Sequence, residues 1–302
     1  MSDAPSGWDR GLAPERADAR DGRAGGRSEA TREAVASVAM MRHAPNGAVT
    51  PAHDAVAREE PLEIQLGAAP LAVLMRTPGH DQELALGFLV TERVVASAAD
   101  VLSIHPCSVV SQPEAEGNVV RALLREGVAV DLERLRRNLY ASASCGICGK
   151  ATLENALSSA PPCDDPARFA RAFFVGLPDR LRTSQAAFDR TGGLHAAALV
   201  DPAGELVVVR EDVGRHNAVD KVVGFAARAG RLPLAGHALL VSGRISYEIV
   251  QKALAARIPA VAAVSAPSSL AVELAEAARI LLVGFLRGGS FNAYGARERL
   301  AG

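Results

Sequence analysis

The 302-residue sequence is short of aromatic side chains, of net charge and of long apolar runs, and each shortage closes off a class of protein. Phe, Trp and Tyr make up 4% of residues while hydrophobic residues reach 49%, so Ala, Val, Leu and Gly carry most of the apolar content. Such a core suits close helix–sheet contact and predicts an α/β protein. A formal charge of −1 argues against a chain built to coat a nucleic-acid polymer, although a local basic groove can still hold a nucleotide. No apolar run reaches the roughly 18 residues that span a bilayer, so no membrane partner is expected. The first 34 residues lack the charged-then-apolar layout of a secretory signal, which makes the cytoplasm the expected compartment. Cysteine is scarce too: Cys107, Cys145, Cys148 and Cys163 are expected to be thiols rather than a disulfide framework.

What is present divides the chain. Residues 1–45 mix Arg, Asp, Glu, Gly, Ala and Pro without apolar periodicity and are expected to be a disordered tail, a short helix over 29–41 being the alternative. Residues 46–135 predict a small mixed α+β domain. It holds a hairpin turning at 67–70, a helix with Leu84, Phe88 and Leu89 on one face, and extended runs at "SVVSQ" and "NVVRALL". Residues 136–167 hold a C-x-x-C loop, a helix and a linker. From 168 to 302, "DPARFARAFFVGLPDRL" predicts a helix and "HAAALVDPAGELVVVRE" a hairpin. After a further helix, strands alternate with helical crossovers, the pattern of a parallel sheet. Ligands of such sheets sit at the carboxyl ends of the strands, where "SGRISYE", "SAPSS" and "GFLRGGSFNAYG" fall.

The close cysteine pair, "SASCGICGKATLENAL", admits three readings. A structural zinc site needs two more ligands, and no second C-x-x-C exists, although His195 and His216 could approach in space. An inert turn is the bland alternative. Thiol chemistry has its own physical basis: Gly146 and Gly149 open the turn, while Lys150 and a following helix start favour thiolate. Elsewhere, Asp212, Arg215, His216, Asn217 and Lys221 crowd a strand-to-helix junction. That junction suits phosphate, or else N-capping with solvated charge. Arg244 is placed to pair with a diphosphate and Ser246 to cap the next helix. Arg287, before Gly288 and Gly289, is the stronger phosphate candidate because glycines allow close approach. His195 is either a satisfied core histidine or a site residue.

Six segments, "RTPGHDQELALGFLVTE", "SCGICGK", "TGGLHAAAL", "EDVGRHNAVDKVVG", "SGRISYEIVQKA" and "GFLRGGSFNAYG", resemble in this order the formate dehydrogenase accessory sulfurtransferases, the FdhD family. The resemblance covers roughly residues 60–297 and leaves the N-terminal tail outside it. It implies a sulfur carrier that takes persulfide sulfur from a cysteine desulfurase. The sulfur would go to the molybdenum bis(molybdopterin guanine dinucleotide) cofactor before that cofactor enters formate dehydrogenase. It also implies a cytidine-deaminase-like layered α/β domain at the C-terminus. By the same resemblance Cys145 takes the persulfide position, Cys148 is its partner, and Phe285, Leu286, Arg287, Gly288, Gly289 and Ser290 contact the cofactor. Guanine nucleotides are then expected ligands, and a homodimer is left open.

A zinc deaminase on such a fold needs H-x-E followed by P-C-x-x-C. Here His195 precedes Ala196 and Ala197, Ser144 precedes Cys145, and the cysteines come before the histidine, so no resident metal is expected.

Overall fold

The computed structural model describes residues 34–107, 117–130, 157 and 160–301. Strands β1 (Val35–His43) and β2 (Val49–Ala57) form a two-stranded antiparallel ribbon. For residues 34–45 this corrects the expected tail and its helical alternative, since residues 35–43 form a strand, while the expectation for residues 1–33 lies outside the described residues. Next come β3 (Glu60–Leu66), β4 (Ala69–Arg76), a helix α1 (Asp81–Thr91), β5 (Val101–Pro106) and β6 (Val119–Leu124). They build a four-stranded sheet of order β4-β3-β6-β5. The expected hairpin is there, turning at Gly67 (φ +58). An extended run expected at "SVVSQ" lies outside the described residues, and β5 precedes it.

The segment expected as one helix from 165 to 181 is broken. It holds β7 (Phe169–Ala170), α2 (Arg171–Phe174) and α3 (Leu177–Thr183), interrupted by Gly176 at φ +86. After α4 (Ala186–Thr191) the second large sheet begins with β8 (His195–Val200) and β9 (Leu206–Asp212). It continues through α5 (Arg215–Arg228), β10 (Ala238–Val241), α6 (Tyr247–Ala255), β11 (Ala260–Ala263), α7 (Ser269–Ala278), β12 (Leu281–Arg287) and β13 (Ser290–Gly295). The order is β13-β12-β11-β10-β8-β9, with β10, β11 and β12 parallel. A terminal β14 (Leu300–Ala301) pairs with β7.

Period-two alternation buries both faces of this sheet. Ala197, Leu199, Leu239, Val241 and Val261 point toward α5, α6 and α7, while Ala198, Val200, Leu240, Ala260 and Ala262 point toward Phe169, Phe174, Leu177 and Leu181. The first of these cores runs on into Leu62, Ile64, Leu84 and Leu89, so packing joins the two sheets through α1 and α5. Those helices touch backbone to backbone. A Cβ on Gly87 would lie 1.8 Å from the Asp220 carbonyl oxygen, and a Cβ on Gly224 would lie 1.8 Å from that of Glu83. No other residue type fits either position.

Where α1, α5 and α6 meet, the buried Lys252 ammonium donates to Asp220 (2.9 Å to each carboxylate oxygen), Thr91 Oγ1 (3.0 Å) and Glu92 (3.0 Å). Burial alone would lower the Lys252 pKa, but the Asp220 and Glu92 carboxylates outweigh it and push it above the usual lysine range. The Arg210 guanidinium likewise forks onto Glu83 at 2.7 and 3.0 Å, tying β9 to α1.

Cys163, expected in an exposed linker, is 1% exposed. Arg299 accounts for this by donating to the carbonyls of Cys163 (2.7 Å) and Ala167 (3.1 Å), while Cys163 N–H donates to Ala278 O at 2.8 Å. Polar linker residues are thereby fastened onto the sheet.

Candidate functional site at the sheet edge

Register fixes which ends of the strands gather. Since β8 runs antiparallel to both β9 and β10, the start of β8 lies beside the ends of β9 and β10. The ends of β11 and β12 follow on the same edge because these strands are parallel to β10. His195, the Asp212–Arg215 junction, Ser242–Ser246, Ser265–Ser268 and Phe285 therefore share one edge. The two-way hydrogen bonding of Ser242 with Ala196 (Oγ accepting and N donating, both 2.9 Å) pins β8 to the end of β10.

The polar cluster at the β9–α5 junction separates into two groups. Asp212, Asn217 and Lys221 are 0, 8 and 1% exposed. Lys221 Nζ contacts Asp212 Oδ2 at 2.7 Å and donates to Thr77 O at 2.8 Å. Asp212 also accepts from Gly214 N (2.8 Å), Thr77 N (3.2 Å) and Asn217 Nδ2 (2.9 Å), and Asn217 donates further to Met75 O at 2.8 Å. These three side chains join the β9–α5 junction to the turn between β4 and α1. Their polar atoms are occupied by the protein, and burial keeps them from a ligand's phosphates.

Arg215 and His216 open α5 and stand on its other side. Arg215 Nε, His216 Nε2 and, from the neighbouring helix, Ser246 Oγ are shielded from solvent yet lack a hydrogen bond among the described residues. Ser246 occupies the N-cap of α6, as its sequence position indicates, but its side chain caps nothing. Glu248, absent from the sequence-based candidates, faces His216 across 3.8 Å, a charge contact rather than a hydrogen bond. Chiefly through His216, and against burial, the Glu248 carboxyl is held well below the usual carboxylate range. The "SYE" start of α6 was its available signal.

His195 packs its ring against Gly243, where an added Cβ would come within 3.4 Å of Nδ1. Burial first, then Arg215 and His216, push its pKa down against the pull of Asp212, which favours the neutral imidazole. Arg244 is exposed in the loop after β10.

The Phe285–Ser290 stretch is a β-hairpin tip. Gly288 and Gly289, at φ +56 and +75, make the two-residue turn from β12 to β13, and Arg171 Nη2 holds Gly289 O at 2.5 Å. The Gly-Gly pair signals such a hairpin, although the second strand was not expected. A bulge between Gly284 and Arg287 puts Phe285 at φ +56, a conformation costly for an aromatic residue, with its N–H donating to Ser265 O at 3.0 Å. Phe285, Arg287, Gly288 and Ser290 are exposed. Leu286 is corrected: its side chain is 1% exposed and lies in the core, because the bulge shifts the alternation so that Leu286, in place of Phe285, follows Leu281 and Val283 inward.

Cys145, Cys148 and Lys150 lie outside the described residues. Among the described residues no group of three His, Cys, Asp or Glu side chains is arranged to hold a metal ion, and no helix is long and apolar enough to cross a membrane.

A mixed sheet covered by helices, with cationic and strained residues gathered at the carboxyl ends of its strands, defines an α/β protein with a candidate site at that edge. The chain belongs to the FdhD/NarQ family, whose model matches residues 57–301. It is 52% identical over 260 residues to the sulfur carrier protein FdhD of Streptomyces avermitilis, covering 85% of this chain and 92% of that one. To the sulfur carrier protein FdhD of Mycolicibacterium paratuberculosis it is 48% identical over 269 residues, covering 88% and 99%. A solved structure described as a formate dehydrogenase accessory protein from Desulfotalea psychrophila superposes with a TM-score of 0.69 at 25% identity, covering 88% of this chain and 99% of that one.

Proposed function

We propose that this chain carries sulfur as a persulfide on Cys145 and delivers it to a molybdenum bis(molybdopterin guanine dinucleotide) cofactor that is later inserted into formate dehydrogenase. The observation that supports it is the gathering at one sheet edge of Arg215, His216 and Ser246, whose Nε, Nε2 and Oγ atoms make no hydrogen bond among the described residues, with Arg244 exposed in the adjoining loop and Arg287 on the hairpin of the same sheet. Such donors suit the diphosphates of a guanine dinucleotide. The family's sulfur-carrier relatives supply the direction of the chemistry. The sheet order, with β10, β11 and β12 parallel between two helical layers, also supports the deaminase-like layering.

In loading, the Cys145 thiolate attacks the terminal sulfur of a cysteine desulfurase persulfide. The donor's S–S bond breaks, its cysteine leaves as thiolate, and a new S–S bond forms on Cys145, with no net oxidation. In delivery the Cys148 thiolate attacks the inner sulfur on Cys145, so that the persulfide S–S bond breaks, the outer sulfur leaves as sulfide for the cofactor as substrate, and a Cys145–Cys148 disulfide forms, which a cellular dithiol reduces to restore both thiols. Neutral His195 is available to hold a proton at this edge, and Arg215 and Arg287 offset the charge of the cargo.

Incubation with a desulfurase and cysteine tests this directly. The intact mass should rise by about 32 Da for one sulfur, reversibly with reductant, because a thiolate accepts one sulfane sulfur. Cys145→Ser should abolish both the gain and formate dehydrogenase maturation. A Cys145→Ser protein that still supports maturation would reduce the chain to a cofactor chaperone.

A further inference from the structure

The tip of the β12–β13 hairpin stands clear of the protein. A Cβ added at Gly288 or at Gly289 would meet no atom within 4 Å, so these glycines serve the positive φ of the turn rather than a close approach within the chain. Glycine also has the most backbone freedom to lose, which makes an unsupported Gly-Gly turn hard to hold in one conformation. The ladder beneath gives limited help. A bulge between Gly284 and Arg287 interrupts the β12–β13 register, and the Phe285 N–H donates to Ser265 O at 3.0 Å instead of to β13.

Support comes from the layer on one face of the sheet. Leu286 is buried there, and Phe291 packs on Phe174 with ring centroids 5.8 Å apart, which fixes the hairpin at the level of the bulge. Beyond that level, among the described residues, one hydrogen bond reaches the tip from another element: Arg171 Nη2 donates to Gly289 O at 2.5 Å. The arginine stands on firm ground. It opens α2 between the buried Phe169 and Phe174, and β7 just before it pairs with β14 through Phe169 and Leu300. Because a trans peptide sets its N–H opposite its C=O, a fixed Gly289 carbonyl also fixes the direction of the Ser290 N–H.

We propose that Arg171 is a positioning residue that holds the Gly288–Gly289 turn in the shape to which the diphosphate of a guanine nucleotide binds. This role rests on the reading of Phe285–Ser290 as a cofactor contact. Its physical basis is preorganisation: a turn already held by the protein loses little backbone freedom when the ligand arrives, so the ordering cost falls on folding rather than on binding. Arg287 depends on the same bond. It pairs with Ser290 across the turn, so a tip that opens carries the Arg287 guanidinium away from its place on the hairpin. Arg171 is exposed and no carboxylate pairs with it among the described residues, which leaves its charge undivided for the Gly289 carbonyl.

Hydrogen exchange of the full ligand-free chain, read by mass spectrometry on peptides spanning residues 285–292, tests this role, with circular dichroism as the folding control. Arg171→Met keeps the aliphatic stem and removes the donor. It should speed exchange at the tip about tenfold and weaken GDP binding in calorimetry about tenfold, the size of one charge-assisted hydrogen bond discounted for exposure. Arg171→Lys, whose ammonium can still reach a single carbonyl, should return both to within about threefold of the parent. Weaker GDP binding with unchanged exchange would make Arg171 a direct ligand contact and overturn the positioning role. Tip amides that already exchange in the parent as fast as an unstructured peptide would overturn it too. If the parent binds GDP and Arg171→Met binds it equally well, the role of Arg171 falls and the cofactor reading stands. If the parent itself fails to bind GDP, the cofactor reading falls, and the role of Arg171 with it.

Discussion

Two halves of the same eleven-residue segment, 211–221, do different work, and helix geometry divides them. Asn217 and Lys221 are four residues apart and share the face of α5 that looks inward, where they meet Asp212 and the carbonyls of Met75 and Thr77. Arg215 and His216, in the first turn, look along the sheet edge and keep nitrogen atoms that make no hydrogen bond among the described residues, His216 facing Glu248 at 3.8 Å. A dense polar cluster thus contains both the scaffold that sets the helix start and the surface proposed to meet a ligand. Burial with satisfied hydrogen bonds distinguishes the first from the second.

The largest effect should come from breaking the scaffold half. Lys221→Ala leaves Asp212 buried and unpaired, and should cost about 3–5 kcal/mol of stability in chemical denaturation, the range for orphaning one member of a buried ion pair. Gly87→Ala should follow, at about 3 kcal/mol, because relieving a 1.8 Å overlap with the Asp220 carbonyl forces two helix backbones apart. By contrast Arg215→Ala, at a half-buried position whose Nε makes no hydrogen bond among the described residues, should change stability by less than about 1 kcal/mol. Its effect should appear in calorimetric titration with GDP, where losing a charge-assisted contact of about 2 kcal/mol weakens binding roughly thirtyfold. If Lys221→Ala proved stable but blind to GDP, and Arg215→Ala unstable, the division would be reversed.

The smallest effects are acid sensitivities of the ligand half. Glu248 has its pKa lowered by folding, so its contribution is complete above the ordinary value of 4.5 and is lost as pH falls toward the depressed folded value. His195 is also lowered, from 6.5, so the folded state binds fewer protons and stability declines as pH falls below 6.5. Denaturation midpoints between pH 3 and 7 should lose the upper part of this slope in His195→Gln and the lower part in Glu248→Gln. Unchanged slopes would show that neither side chain senses the field of Arg215 and His216.

Much of the sheet was legible because its strands and helices alternate in period and length. Residues 238–287 state the crossover pattern outright, and the β3–β4 and β8–β9 hairpins follow from their turns. What stayed hidden depended on distant partners. Nothing local in "VASVAMMRH" announces a strand, since its pairing is with residues 49–57 and its Ala and Met residues favour helix equally. Cys163 looked exposed because Arg299, more than a hundred residues later, supplies the contacts that bury its neighbourhood. At the site, residue identities marked Asp212 and Arg215 alike as phosphate candidates. Separating them required knowing that Thr77 and Met75 arrive from another sheet to occupy the first and its companions.

The reciprocal glycine contact between α1 and α5 makes the two helices one mechanical part. Each places a carbonyl where the other has no side chain, so neither can slide or rotate without driving backbone into backbone. Local opening of one helix must unseat the other, along with the Lys252 ammonium beneath them. Their amides accordingly belong to a single cooperative unit whose hydrogen exchange requires opening of the whole core. The edge residues Arg215 and His216 are therefore carried on a helix locked to its neighbour backbone to backbone, so that the ground on which they stand moves only when the core opens.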